Sequence, residues 1–149
     1  MDVFERLVGA RDPKTSLLTA SNHVSMFDDP GLNGVLPLRT LMQTDKVRWT
    51  MAAEEVIFLN RLTQWFFTQG RILPTVRGAG IYQPCVADAI ARLDAGQWLH
   101  IYPEAGIHQY PQMLPRWKWG VGRLLLETKN PPLFLPYWHV GMETVVPND

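Results

Sequence analysis

Short apolar runs alternate with longer amphipathic stretches along this chain, and that alternation constrains the fold more than any single residue does. Apolar runs of about four to eight residues read as strands, stretches with a 3.6-residue period read as helices, and alternating the two gives an α/β layer structure. The strand-like runs are residues 16–20, 72–76, 98–102 and 133–138. Pro74 and Pro136 interrupt two of them, which either weakens those strands or places them at sheet edges, because proline donates nothing to a ladder. Helices are expected in the gaps. One starts at Asp29-Pro30, with aspartate as N-cap and proline at the first helical position. A second spans 54–68, with Val56, Leu59, Leu62 and Phe66 on one stripe. A third runs over 84–93 and ends near Gly96, and a fourth covers 117–129, stopping before Pro131-Pro132. The expected fold is a single α/β domain over 1–149, a mixed sheet flanked by helices.

Composition narrows the function. A chain of 149 residues buries a sizeable core in one domain. Its formal net charge of +0 gives no global field toward nucleic acid, so no nucleic-acid partner is expected. Six tryptophans among only 19% charged residues suit a boundary between water and lipid. The longest apolar runs fall far short of the roughly 18 residues a membrane-spanning helix needs, so contact with membrane is expected at its surface. Met1-Asp2-Val3-Phe4-Glu5 reads as neither a secretory signal nor an organelle presequence. A single cysteine, Cys85, excludes an internal disulfide framework and a cysteine-cluster zinc site.

The polar residues of interest follow the strands: His23 the first, Arg77 the second, Glu104 the third and His139 the fourth. If the strands run parallel, these groups converge beyond their carboxyl ends, where open α/β sheets bind ligands. His23 and Asp28 are five apart, so they cannot share a helix face, but they can pair across a turn. An aspartate on one ring nitrogen fixes the tautomer and makes the other nitrogen the stronger base. From spacing alone, a loop histidine beside two helix-starting aspartates is the commoner outcome.

Other features carry plainer alternatives. Phe58, Trp65, Phe66 and Phe67 either press into lipid or pack on the sheet, and Trp117-Lys118-Trp119 either anchors at headgroup depth or packs at a helix start. His139 either joins His23 in the pocket or, as is commoner for a histidine between Trp138 and Val140, is structural, and His100 inside a strand reads as structural. His108 receives no role, and a zinc site from His23, Asp28 and His139 is the weakest reading. A covalent route through Cys85 or Ser25 lacks a nucleophile motif.

Five collinear segments then resemble the glycerolipid acyltransferases, from about Leu17 to Asn148. Asn22-His23 with Asp28-Asp29-Pro30 matches the family's Asn-His-x4-Asp motif. Arg48-Trp49-Thr50 and Arg77-Gly78-Ala79 resemble a second block, and His100-Ile101-Tyr102-Pro103-Glu104 resembles its Phe-Pro-Glu-Gly block. The segments 118–124 and 135–142 resemble the family's phospholipid–lysophospholipid transacylase branch. The resemblance implies His23 as general base, Asp28 as its orienting partner, Glu104 and Gly106 in the glycerol and phosphate pocket, and Arg77 as a phosphate ligand. It implies lysophospholipid acceptors (cardiolipin-type lipids among them), phospholipid donors, no cofactor, and peripheral attachment to a mitochondrial membrane facing the intermembrane space. Two other readings stand beside it: an acyl-coenzyme-A-dependent enzyme and a non-catalytic lipid-binding module. Ala105 departs from the family pattern where glycine follows the glutamate, and Ile107 takes a place often basic. Chains of this branch extend past both ends of this one, so part of the lipid-binding surface is expected outside it.

Overall fold

The computed structural model describes residues 3–57, 61–109 and 115–147. Its first half runs α1 (Val3–Gly9), β1 (Leu17–Ser21), α2 (Asp28–Gly34), α3 (Leu38–Leu41), β2 (Trp49–Ala53), α4 (Glu54–Ile57) and α5 (Arg61–Gln69). The second half adds β3 (Ile72–Thr75), α6 (Pro84–Asp94), β4 (Trp98–Ile101), α7 (Gly120–Leu126), β5 (Leu133–Tyr137) and α8 (Met142–Val145). Five strands form one sheet in the order β3-β2-β4-β1-β5. Every described ladder is parallel, so the mixed sheet expected from sequence is a parallel one. Helical segments lie between successive strands, and such crossovers return the chain in the same direction. Pro74 and Pro136 fall in β3 and β5, the two edges, where a missing N–H breaks no second ladder.

Both faces of the sheet are covered, which is why β1 and β4 are buried along their whole lengths. Side chains alternate between the faces. Leu18, Ala20, Leu99 and Ile101 pack with Cys85, Val86, Ala89 and Leu93 of α6 and with Val121 and Leu124 of α7. On the opposite face, Leu17 and Trp98 meet Val8 of α1 and Leu36, with Leu41 and Leu135 alongside. Each fully buried leucine or valine contributes about 1.5–3 kcal/mol relative to exposure. The two central strands are therefore the most firmly held, and the loops at their carboxyl ends stand on a fixed base.

Four of the strands lie within a residue or two of the runs read from sequence. The fifth, β2, was not foreseen, because Trp49-Thr50-Met51-Ala52-Ala53 ends in two alanines and shows no clear alternation. The helix expected over 84–93 is α6, with Pro84 in its first turn. The one expected over 117–129 is confined to Gly120–Leu126, as two glycines at its start disfavour an earlier onset. Over 54–68 the described pieces are α4 and α5, and Leu62 is 74% exposed rather than inward. A 3.6-residue stripe shows that one face is apolar; it does not say what covers that face. Phe58 and Leu59 of that stretch lie outside the described residues, as do the side chains of Val56, Phe66 and Phe67.

Gly96 ends α6 and turns the chain into β4. Its φ is +75°, and a Cβ there would sit 2.1 Å from the carbonyl oxygen of Pro13. Gly96→Ala is expected to cost about 2–4 kcal/mol from left-handed strain plus overlap, read as a lower urea midpoint at unchanged slope.

Candidate active site

The loop after β1 has backbone N–H groups with no ladder to join, and buried donors need acceptors. Asp28, the first residue of α2, supplies one by folding its carboxylate back over the loop. Its Oδ2 accepts from the amides of Val24 at 2.8 Å and Ser25 at 3.0 Å, and from His23 Nδ1 at 2.8 Å. The Asp28 side chain is wholly buried, whereas that of His23 keeps 20% of its surface exposed. A carboxylate only accepts, so Nδ1 of His23 carries the shared proton and Nε2 is left with its lone pair. Burial pushes the Asp28 carboxyl up, but the bonds from His23, Ser25 and Val24 and the charge of His139 outweigh it, holding the group below the ordinary carboxylate range.

Asp29 does not cap the helix as expected, because the helix already includes Asp28 and the chain's turn is closed by that residue. Its Oδ1 instead accepts from Arg48 Nη1 at 2.6 Å and from the Tyr102 hydroxyl at 3.2 Å. Arg48 also donates to the backbone carbonyl of Asp29 and to the Thr50 hydroxyl. Pro30 is thus the third residue of α2, still within the first turn where its missing N–H costs nothing. Arg48 was visible in the sequence only as part of a block, without a role; burial next to an aspartate is what its position in front of β2 gives it.

The loop after β4 closes over the loop after β1. The amide of His108 donates to the carbonyl of His23 at 2.7 Å, and the amide of Lys118 donates to the carbonyl of Pro103 at 2.9 Å. Tyr102 stacks on His23, with ring centroids 4.0 Å apart and planes 17° off parallel. The next turn carries Glu104, which is buried, and its Oε2 has no hydrogen-bond partner. Gly106 follows, half-buried beside the His108 ring. Between them Ala105 holds φ +59°, a left-handed conformation that suits glycine. That conformation gives a physical reason for the glycine of the family pattern, and alanine bears strain in its place.

His139 follows β5 and is laced to β1. Its amide donates to Asn22 Oδ1 at 3.0 Å, Asn22 Nδ2 returns a bond to its carbonyl at 2.9 Å, and its Nε2 donates to the Asn22 carbonyl at 3.1 Å. The same Nε2 lies 3.8 Å from Asp28 Oδ2. His100 is fully buried, with Nδ1 2.8 Å from the Thr19 hydroxyl. Burial, then the charges of Arg48, His23 and His139, push its imidazole well below the ordinary range, so it stays neutral and structural.

The structure thus gathers His23, Asp28, His139 and the Glu104 turn at the ends of three adjacent strands. Arg77 is not in that group. It follows the edge strand β3, three strand positions from β1 or roughly 14 Å at ordinary spacing, and pairs with Glu55 at 3.2 Å on the surface. Cys85 sits in the core with its thiol pushed up by burial and by Asp88, and Ser25 is buried with its Oγ accepting from the Phe27 amide. Neither has the exposure or activation a nucleophile needs. Among the described residues no group of three or more His, Cys, Asp or Glu is placed to hold a metal ion, and no helix is long and apolar enough to cross a membrane. A hollow of about 410 Å³ opens at the other edge of the sheet, lined by Thr15, Leu133 and α1 residues, away from these groups.

Fold and site together define a family of group-transfer proteins: the chain belongs to the acyltransferase family, whose sequence profile matches residues 6–140. It is 43% identical to Tafazzin of Drosophila melanogaster over 143 residues, covering 96% of this chain and 38% of that protein. It is 46% identical to Taffazin of Dictyostelium discoideum, covering 90% of this chain and 48% of that one. An N-acylphosphatidylethanolamine synthase of Arabidopsis thaliana is 36% identical, covering 99% of this chain and 52% of the relative. The chain therefore spans about half the length, or less, of these curated relatives.

Two measurements check this site without activity. Asp28→Ala is expected to cost about 2–4 kcal/mol at pH 7, since it orphans two buried amides and frees His23. Because the Asp28 carboxyl is held low in the folded state, its contribution is complete above the unfolded value of about 3.9 and fades as pH falls through the folded value. The gap between wild type and Asp28→Ala in urea should narrow only below about pH 4. Ala105→Gly is expected to raise stability by up to about 1 kcal/mol, as relief of left-handed strain exceeds the entropy glycine adds to the unfolded chain.

Proposed function

We propose that the chain transfers a fatty acyl group from a phospholipid to the free hydroxyl of a lysophospholipid at a membrane surface. The observation that carries this reading is the 2.8 Å contact from His23 Nδ1 to a buried, ionised Asp28, which leaves Nε2 with its lone pair on a side chain that keeps 20% of its surface exposed. Nε2 takes the proton of the acceptor hydroxyl as its oxygen attacks the donor ester carbonyl. The tetrahedral intermediate collapses, the donor's glycerol oxygen leaves, and the imidazolium returns the proton to it. Asp28 stabilises the imidazolium between these steps, and a general base of this kind is worth about 10²–10⁴-fold. Forward and reverse transfers are chemically equivalent, so one histidine serves both and no cofactor takes part.

Around that base the remaining groups have definable tasks in this reading. The unpartnered Oε2 of Glu104 is a ready acceptor for a glycerol hydroxyl. The amides near Gly106 are the donors assigned to the developing oxyanion. Arg77 remains the phosphate ligand of this proposal at the rim: its surface pair with Glu55 is worth only about 0–1 kcal/mol, so a lipid phosphate can displace it. Met26 and Phe27 lie exposed three and four residues past His23, and Trp119 is 72% exposed beside Lys118, as contact with a lipid surface requires. Similarity to the tafazzins supports phospholipid substrates and mitochondrial association; cardiolipin-type lipids and peripheral attachment facing the intermembrane space are part of this proposal. One acyltransferase domain over 1–149 completes the proposal.

Labelled phosphatidylcholine and a lysophospholipid in cofactor-free vesicles test it. Acyl exchange is expected, and His23→Ala should lower it at least about 10²-fold. Exchange that survives the substitution would remove His23 as base. Product formed only when acyl-coenzyme A is added would move the donor assignment to that thioester, and vesicle binding with no turnover from either donor would leave a lipid-binding module.

A further inference from the structure

Two neighbouring aspartates leave one loop in different directions. Asp28 reaches the edge of the His23 ring, and Asp29 reaches Arg48 and the hydroxyl of Tyr102. The Tyr102 ring in turn covers one face of the His23 imidazole at 4.0 Å. From beneath, His100 meets Tyr102 edge-on, with centroids 4.6 Å apart and planes at 86°. Arg48, whose side chain is only 3% exposed, closes the set through Asp29. The imidazole is therefore held in its plane by one aspartate and across its face by a tyrosine that the other aspartate anchors.

We propose that Tyr102 is a positioning residue for His23: its ring is the platform that orients the imidazole and lies against the imidazolium formed during transfer, and the hydroxyl bond to Asp29 fixes the platform. The inference rests on the reading of His23 as the base. Two physical effects support it. An aromatic face attracts a cation lying against it, so the imidazolium formed during transfer is stabilised where the neutral ring gains less. A base that cannot swing keeps Nε2 in the geometry proton transfer requires, and small misplacements of such groups cost large factors in rate. Burial and the charge of Asp29 push the Tyr102 phenol far up, so its hydroxyl stays a donor to that carboxylate throughout.

Tyr102→Leu and Tyr102→Phe separate the ring from its anchor, and two readouts follow each variant. The first is the proton NMR shift of His23 Cε1–H, which a stacked ring displaces upfield irrespective of activity. The second is the split between kcat and KM in acyl exchange. Tyr102→Leu is expected to abolish the upfield displacement and lower kcat about tenfold, with KM within about twofold. Tyr102→Phe is expected to keep the displacement and recover kcat to within about threefold of wild type. A wild-type spectrum without the displacement, a leucine variant with undiminished kcat, or a loss confined to KM would each overturn the proposal. Displacement in a wild type that exchanges no acyl groups would support the platform and count against the transacylase reading instead.

Discussion

A single carboxylate oxygen, Oδ2 of Asp28, holds this site together. It accepts three hydrogen bonds at 2.8–3.0 Å, two from loop amides and one from His23, in a position closed to solvent. A charge so deeply placed would be costly alone; hydrogen-bonded in this way it stays ionised and shapes the loop that presents the histidine. The same bonds that satisfy the backbone therefore also select the tautomer with a free Nε2. Structure and chemistry share one interaction, and neither can be altered separately.

The scaffold makes that interaction dependable. β1 and β4 are the two wholly buried strands of a parallel sheet covered on both faces, and their carboxyl-end loops carry His23 and the Tyr102–Glu104 turn. Backbone bonds from His108 to His23 and reciprocal bonds between Asn22 and His139 tie three strand ends to one another. Ala105 in a left-handed conformation shows the turn imposing its shape on a residue that resists it.

Much of this was legible in the chain. Patterns of apolar residues located β1, β3, β4 and β5, and two prolines marked the edges, because period and proline chemistry are local properties. The five-residue spacing of His23 and Asp28 excludes a helix face and only allows a pairing across a turn; it was the Asn-His-x4-Asp resemblance that singled the pair out. What escaped depended on tertiary context. β2 has a weak pattern and owes its place to neighbours on both sides; Arg48 and Asp29 lie 19 residues apart and meet only because β2 runs beside β4. The assignment of Asp29 as helix cap failed because α2 already begins at Asp28; inside the first turn the Asp29 carboxylate is left to pair with Arg48. Arg77 matched a family block, yet β3 occupies the sheet edge, and sequence alone does not give strand order.

The central claim concerns one proton. A long-range proton–nitrogen correlation spectrum of the protein at neutral pH reads which nitrogen of His23 carries it. The account requires the proton on Nδ1, hydrogen-bonded to Asp28, with Nε2 showing the shift of an unprotonated acceptor. A spectrum with the proton on Nε2, or with both nitrogens averaging as in a free imidazole, would contradict it.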